Sequence, residues 1–279
     1  LKADVPAASI FKIVAAAAAI EARNFTPDRT LTYRGGKYTL YKSQLRQDKG
    51  EYLNRISFKG AFSGSINPVF GKIGIYDLGK DLISQYAERF FFNREIPFDL
   101  PLAVSSVEVP LDDFGLAEIA SGFNKRTLLS PLHAAMITSA IANNGIMMKP
   151  WIITDIRDES DRILYHAGPL KLANPISRET ASQMQILMRD TVTHGTCRKA
   201  FRPLQRRKTF ENITLGAKSG TINDITGTYK YDWLTAYALP QKENDHSGIC
   251  IAVLAVHGEK LGIRAKDMVR EILNYHFTS

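Results

Sequence analysis

Between Ser9 and Ile20 the chain carries one ionisable group, Lys12, set among Ile10, Phe11, Ile13, Val14 and five consecutive alanines. A helix built on this stretch is apolar all round, and such helices are stable only inside a core. The fold is therefore constrained to assemble around it. A lysine in that setting is costly to bury charged, unless a partner or a lowered pKa relieves it. Residues three apart on a helix share a face, so Ser9 and Lys12 can meet side chain to side chain. A hydroxyl beside a desolvated amine is one way of making an activated nucleophile.

The 279 residues, 44% hydrophobic and 23% charged, are enough for a sizeable core in one large domain or two modest ones. A formal charge of +8 favours anionic surroundings such as cell-wall polymer, lipid headgroups or nucleic acid, without choosing among them. Cys197 and Cys250 lack metal-ligand spacing, so neither a zinc site nor a disulfide framework is expected; a single disulfide stays open. No apolar run approaches the roughly 18 residues that cross a bilayer. The run at Ile13–Ile20 is short and has no basic leader or cleavage site. Leu1 is no natural start, so a further N-terminal segment is expected, and any signal or anchor lies outside this chain.

The first helix is expected from Ser9 to about Arg23, stopped by Asn24-Phe25-Thr26-Pro27. Leu31-Thr32-Tyr33 and Tyr38-Thr39-Leu40, joined through Gly35-Gly36, suggest a small hairpin. From Tyr52 to Phe92 the pattern is helical, broken at Gly64–Pro68 and at Gly79. Residues 93–130, rich in Pro, Asp, Gly and Ser, suggest a surface excursion with little regular structure. Ser130 and Pro131 open a helix to Asn143, and another is expected from Arg178 to Val192. Between them Trp151–Ile156 and Ile163–Tyr165 look like strands around a polar turn. Arg198–Lys208 holds six basic residues with only Phe201 as an aromatic platform, so a solvated loop is expected there and not a nucleic-acid site. Strand signals follow at Leu215–Lys218, Trp233–Leu239 and Ile249–Val256, the last two joined by a polar loop at Pro240–Gly248. A closing helix spans Arg264–Tyr275, with Ile263, Met268, Val269, Ile272 and Leu273 on its apolar face. Helices in the middle and antiparallel strands towards the end argue for an α+β fold.

Three short groups carry chemistry: Ser9-x-x-Lys12, Ser65-x-Asn67 and Lys218-Ser219-Gly220-Thr221. Each alone has a bland reading, as a helix start, a turn and a strand end respectively. In this order and separation they resemble the motif set of penicillin-binding proteins and serine β-lactamases. The similarity extends to Ser130-Pro131-Leu132, to Asn143-Asn144-Gly145 with Pro150, to Gly195-Thr196, and to Asp232-Trp233 with Ala236-Tyr237. It therefore spans most of the chain and points to a penicillin-binding protein transpeptidase domain. The fold so implied is a single unit over 1–279: an antiparallel sheet flanked by helices, with a mostly helical subdomain at about 24–195 and a sheet-forming part at about 210–279. The N-terminal strands of that sheet are expected to be missing from this chain, since only eight residues precede Ser9.

The resemblance also implies roles. Ser9 would be the acylated nucleophile and Lys12 its base. Ser65 would relay a proton to the leaving amine, with Lys218 keeping the local potential positive. Asn67 would hold the substrate amide and orient Lys12. Thr221, with Ser219, would bind the terminal carboxylate. Gly220 suits a strand edge that a substrate backbone must approach closely. The backbone N–H groups of Ser9 and Thr221 would form the oxyanion hole. The implied partners are peptidoglycan stem peptides ending in D-Ala-D-Ala, β-lactam antibiotics as covalent inhibitors, and other cell-wall synthesis proteins. No cofactor or metal is implied. The implied place is the bacterial cell envelope, on the extracytoplasmic side of the inner membrane.

Ala8 departs from the glycine usual before the nucleophile. No Glu-x-x-x-Asn element of the class A β-lactamase kind lies between the second and third motifs, and Asn67 stands where class D enzymes carry valine. Both favour a slowly deacylating DD-transpeptidase over a resistance enzyme. A DD-carboxypeptidase and a β-lactam-binding sensor domain without turnover are the alternatives, and a catalytically silent structural member is a fourth.

Overall fold

Helix α1 (Lys12–Arg23) is buried from Lys12 to Ile20, and no residue from Lys12 to Ala19 is more than 2% exposed. Small side chains on every face let neighbouring elements approach this axis closely, which a run of larger residues would prevent. In the computed structural model, which describes residues 2–47, 53–242, 245 and 247–278, the rest of the chain is arranged around it.

Strands β1 (Thr30–Tyr33) and β2 (Asn54–Ser57) form a small antiparallel pair. Helices α2 (Phe58–Ser63), α3 (Asn67–Lys72) and α4 (Gly79–Arg89) follow, with a π-helical turn at Ile73–Leu78 joining the last two. Helix α5 (Asp113–Ser121) and helix α6 (Pro131–Ala142) come next. Short strands β3 (Met147–Met148), β4 (Asp155–Arg157), β5 (Ile163–His166) and β6 (Lys171–Ala173) pair as β3 with β6 and β4 with β5. Helices α7 (Arg178–Thr193) and α8 (Arg198–Gln205) lead into three long antiparallel strands in the order β7 (Ile213–Asn223), β8 (Lys230–Pro240), β9 (Ile249–His257). Helix α9 (Ala265–Thr278) ends the described chain. The fold is α+β with antiparallel sheets.

The three-stranded sheet separates two apolar clusters. Trp233 and Tyr237 point from β8 into the large cluster around α1, α6 and α7. Leu215, Ala217, Leu234, Ala236 and Ala238 face the other way, against Phe201 and Leu204 of α8 and Val269 and Leu273 of α9. That alternation puts Lys218 and Gly220 on the α1 side of β7, and Ser219 and Thr221 on the α9 side. Hence both faces of one strand serve the same cleft.

Several sequence expectations change. Ser9 lies in a 3₁₀ turn (Ala8–Phe11) ahead of α1 and caps nothing with its side chain. Leu31–Tyr33 pairs with Asn54–Ile56, not with Tyr38–Leu40; the carbonyls of Lys37 and Tyr38 are taken by Asn67. Tyr52 and part of the Pro240–Gly248 loop fall outside the described residues; beyond Tyr52, the helical pattern begins only at Phe58. Residues 93–130 contain a regular helix, α5, capped by the Asp112 carboxylate on the Gly115 N–H and buried through Leu116, Ala117, Ile119 and Ala120. The basic stretch from Arg198 is a helix whose Ala200, Phe201 and Leu204 are buried, with its charges turned to solvent. On α9 only Val269 and Leu273 of the expected face are buried; Ile263, Met268 and Ile272 are 70%, 39% and 43% exposed. Trp151 is not in a strand. Both cysteines are free.

Candidate active site

The leading segment is pinned before it reaches Ser9. Ala7 N–H donates to the Thr127 carbonyl at 2.8 Å, Leu129 N–H to that of Val5 at 2.9 Å, and the Trp233 indole N–H to that of Pro6 at 2.9 Å. Ala8 then turns through φ 49°, directly against Gly122. Gly122 itself has φ 65°, and a Cβ there would lie 2.0 Å from the Ala8 carbonyl oxygen, so glycine is required on both counts. Gly220 of β7 meets the turn from the other side, its missing Cβ 3.2 Å from the Ser9 nitrogen. The Ser9 backbone is thus held between α5 and β7.

Lys12 Nζ is fully buried and has three neighbours. It lies 2.9 Å from Ser9 Oγ and 2.7 Å from Asn67 Oδ1, and it donates to the Ser121 carbonyl at the end of α5. Burial, and then the charge of Lys218, hold the Lys12 pKa well below the ordinary lysine range. Ser65 sits at φ 55° between α2 and α3, an αL conformation that serine adopts at a cost. This bend aims its hydroxyl at Lys218, whose Nζ donates to Ser65 Oγ at 3.0 Å and to the Ser219 carbonyl at 2.8 Å. Burial brings the Lys218 pKa down to about 7.

Asn67 opens α3, with Pro68 behind it in the first turn. Its N–H donates to the Lys37 carbonyl at 2.7 Å and its Nδ2 to the Tyr38 carbonyl at 2.9 Å. On the α9 side of β7, Ser219 Oγ lies 2.6 Å from Thr196 Oγ1, and Thr221 Oγ1 donates to Asp232 Oδ1 at 3.3 Å. A cleft of about 560 Å³ collects Ser9, Ser65, Asn67, Ser219, Gly220 and Thr221 in its wall. Lys12 and Lys218 lie beneath them, hydrogen-bonded to Ser9 and Ser65. All eight residues singled out from the sequence come together.

Other participants carried weaker signals or none. The Ser121 carbonyl is a backbone group on a helix the composition concealed, and no side-chain pattern marks it. Arg264 and Lys266 also line the cleft. Their signal was available: two cations at the start of a helix oppose its dipole and call for an anion nearby. Among the described residues no group of three or more His, Cys, Asp and Glu side chains is placed to hold a metal ion, and no helix is long and apolar enough to cross a membrane.

The site thus holds one buried lysine between a serine and an asparagine, and a second serine, from the α2–α3 bend, bonded to a lysine of β7. Residues 1–274 match the penicillin-binding protein transpeptidase domain, and the chain belongs to that family. The chain is 24% identical over 269 residues to peptidoglycan D,D-transpeptidase PbpA of Mycolicibacterium smegmatis, covering 91% of this chain and 50% of that protein. It is 22% identical over 245 residues to penicillin-binding protein 3 of Bacillus subtilis, covering 84% and 34%. The chain thus spans about half the length, or less, of these relatives. Among solved structures, the imipenem acyl-enzyme of penicillin-binding protein A from M. tuberculosis shares the fold with a TM-score of 0.76 at 22% identity, over 98% of this chain and 61% of that one. The D,D-transpeptidase domain of a peptidoglycan glycosyltransferase from Eggerthella lenta does so with 0.75 at 22% identity, over 98% and 65%.

Proposed function

We propose that the chain is a single acyl-serine D,D-transpeptidase unit that cross-links peptidoglycan stem peptides and is acylated by β-lactams. The observation that carries the reading is the surroundings of Lys12 Nζ. Its other two neighbours, Asn67 Oδ1 and the Ser121 carbonyl, can only accept hydrogen bonds. A neutral Lys12 spends both its N–H bonds on them, and its lone pair is left for the Ser9 hydroxyl. The lowered pKa makes that neutral form accessible.

Ser9 Oγ attacks the carbonyl carbon of the penultimate D-alanine as its proton passes to Lys12 Nζ. The backbone N–H groups of Ser9 and Thr221 receive the oxyanion, a contribution of about 10²–10³ in rate for each such donor. Collapse breaks the C–N bond, and the terminal D-alanine leaves as an amine, taking through Ser65 the proton that Lys12 received from Ser9. Lys218 keeps the potential at Ser65 positive in its protonated form. An acceptor amine then attacks the Ser9 ester and gives up a proton through Ser65 to Lys12, which returns a proton to Ser9 Oγ as the C–O bond breaks. Asn67 orients Lys12 and holds the substrate amide, and the peptide docks as an added strand along the open edge of β7 at Gly220. Ser219 and Thr221 receive the terminal carboxylate. Such a reaction belongs on the extracytoplasmic side of a bacterial envelope, where its polymer is.

Incubation with a fluorescent penicillin is expected to add one covalent label, absent in Ser9→Ala. No adduct on folded protein would sink the reading. Release of D-alanine from a stem peptide, with and without an amine acceptor, then separates cross-linking from hydrolysis.

A further inference from the structure

Arg198, Lys199, Arg202, Arg206, Arg207 and Lys208 follow one another on a short run of chain, and all six are exposed. With 36 lysines and arginines against 28 acids, the net charge of +8 would be +2 without them. No acid stands between Asp190 and Glu211 in the chain. Among the described residues none of the six forms an ion pair, with Glu211 or with any other acid. Asp190 is paired with His194, and on the neighbouring α9 both Asp267 and Glu271 are held by Arg270. Arg207 donates to the Asn274 side-chain oxygen at 2.6 Å, a neutral partner that leaves its charge uncompensated.

Helix α8 gives this charge an arrangement. Ala200, Phe201 and Leu204 are buried on one side, so Arg198, Lys199, Arg202 and the C-cap residue Arg206 share the other. Arg198, Arg202 and Arg206 come at four-residue steps, a row of cations about 6 Å apart. Lys208 carries the charge past the helix end. Like charges four apart on a helix repel, and Arg198 and Lys199 in the first turn also oppose the dipole. The chain offers nothing to offset that cost, whereas an anionic partner would. Nucleic-acid recognition calls for aromatic platforms, and Phe201 is 0% exposed. A helix that settles into a bilayer surface presents its apolar face there, and the apolar face of α8 is turned inward. A flexible linear polyanion needs neither feature. A phosphodiester chain, with one charge every few backbone bonds, suits a row of guanidinium forks.

We propose that the solvent face of α8 binds an anionic phosphodiester polymer of the cell wall, laid along Arg198, Arg202, Arg206 and Lys208. The row begins two residues after Thr196, which lines the cleft and meets Ser219. A polymer held there runs beside the site and keeps the domain against the wall. The charge argument is independent of the chemistry at Ser9; the choice of a cell-wall polymer rests on the transpeptidase reading above.

The test measures binding of poly(glycerol phosphate) at several salt concentrations to three proteins. They are the wild type, a patch variant (Arg198→Gln, Arg202→Gln, Arg206→Gln and Lys208→Gln), and a control with the same net charge. The control carries Lys80→Gln, Lys171→Gln, Lys242→Gln and Lys260→Gln, all exposed positions outside the run. The patch variant is expected to bind at least about tenfold more weakly at low salt. Its slope of log affinity on log salt should flatten by about 2–3, the scale of four phosphate contacts on a flexible strand. The control should change less than about threefold. Arg198→Gln with Arg202→Gln alone should give about half the change in slope, which keeps the test open if the fourfold variant folds poorly. Equal loss in patch variant and control, or no loss in the patch variant, overturns the proposal. Phosphatidylglycerol vesicles bound as tightly as the polymer, and released by the same substitutions, overturn it in favour of a lipid surface. Fluorescent penicillin labelling, read in parallel, should be as fast in the patch variant as in the wild type. Polymer binding lost with the patch supports the proposal even if the wild type takes no label, a result that would sink only the transpeptidase reading.

Discussion

Asn67 Oδ1 lies 2.7 Å from Lys12 Nζ in a buried hydrogen bond that joins residues 55 apart in the chain. The Asn67 amide has one orientation available, because its Nδ2 donates to the Tyr38 carbonyl at 2.9 Å. The oxygen therefore faces Lys12, and Lys12 must donate to it in either protonation state. In the proposed reaction Asn67 acts on Ser9 through Lys12, by deciding where the amine's lone pair is left.

Lys12→Met tests that logic, because it keeps the length and removes the amine. Acylation of Ser9 by a penicillin should fall by about 10²–10⁴, the range for loss of a general base. The fold should survive, because relief of a buried amine offsets the two acceptors left without a donor. A melting temperature within about 4 °C of the wild type is expected, equivalent to roughly 1–2 kcal/mol for a chain of this size. Unchanged acylation would remove Lys12 from the mechanism.

The two buried lysines also set a pH dependence. In the proposed reaction Lys12 must be neutral to take the Ser9 proton, so acylation should fall as pH drops through the pKa of Lys12. The charge of Lys218 helps to lower that pKa. Removing it with Lys218→Met should raise the Lys12 pKa and move the acid limb of the rate profile to higher pH. Stability follows by linkage. Lys218 has a folded pKa of about 7, below the ordinary lysine value of 10.5, so between these values the unfolded chain binds more protons. Its contribution to stability therefore rises with pH from about 7 to 10.5 and is flat outside that window. Denaturant unfolding at pH 7 and pH 10 should show a smaller gain for Lys218→Met than for the wild type. A limb that stays in place, or moves to lower pH, contradicts the coupling.

The parts of this site that were legible in the sequence are those whose chemistry lies in side chains at short spacing. Ser9 and Lys12 are one turn apart, Ser65 and Asn67 share a bend, and Lys218–Thr221 lie on one strand. Strands β7 to β9 were legible too, because β-branched and small apolar residues alternate there between two cores. Helix α5 was not. Pro, Asp and Ser crowd the residues before it, and its own apolar positions span only nine residues. What that helix adds, a carbonyl for Lys12 and the Gly122 turn against Ala8, is backbone and leaves no side-chain pattern. The pairing of Asp232 with Arg264 spans 32 residues, and neither periodicity nor spacing predicts it.

Gly122→Ala measures how much the placement of Ser9 depends on that turn. The added Cβ would sit 2.0 Å from the Ala8 carbonyl, at a φ of 65° that alanine also resists. The φ alone costs roughly 1–3 kcal/mol, and the contact adds to it by pushing on the Ala8 peptide. A clear fall in melting temperature is expected, together with slower acylation, although residue 122 bears no reacting group. Wild-type stability in Gly122→Ala would show that the Ala8–Gly122 contact is not a constraint.

Ser65 presents the opposite balance, because its φ of 55° is a strain held in place by its neighbours. Glycine takes that conformation freely, at the expense of more freedom in the unfolded chain. Ser65→Gly removes the strain together with the hydroxyl that accepts from Lys218 at 3.0 Å. Lys218 keeps its bond to the Ser219 carbonyl, so the amine is not stranded. The expected variant is as stable as the wild type, or up to about 1 kcal/mol more so. Yet it should be slower by about 10²-fold or more wherever a proton must reach the leaving amine. Ser65→Ala, which keeps the strain and loses the hydroxyl, should be as slow but less stable than Ser65→Gly. If Ser65→Gly proves less stable than Ser65→Ala, the bend at residue 65 stores no strain, and its φ reflects only the path between α2 and α3.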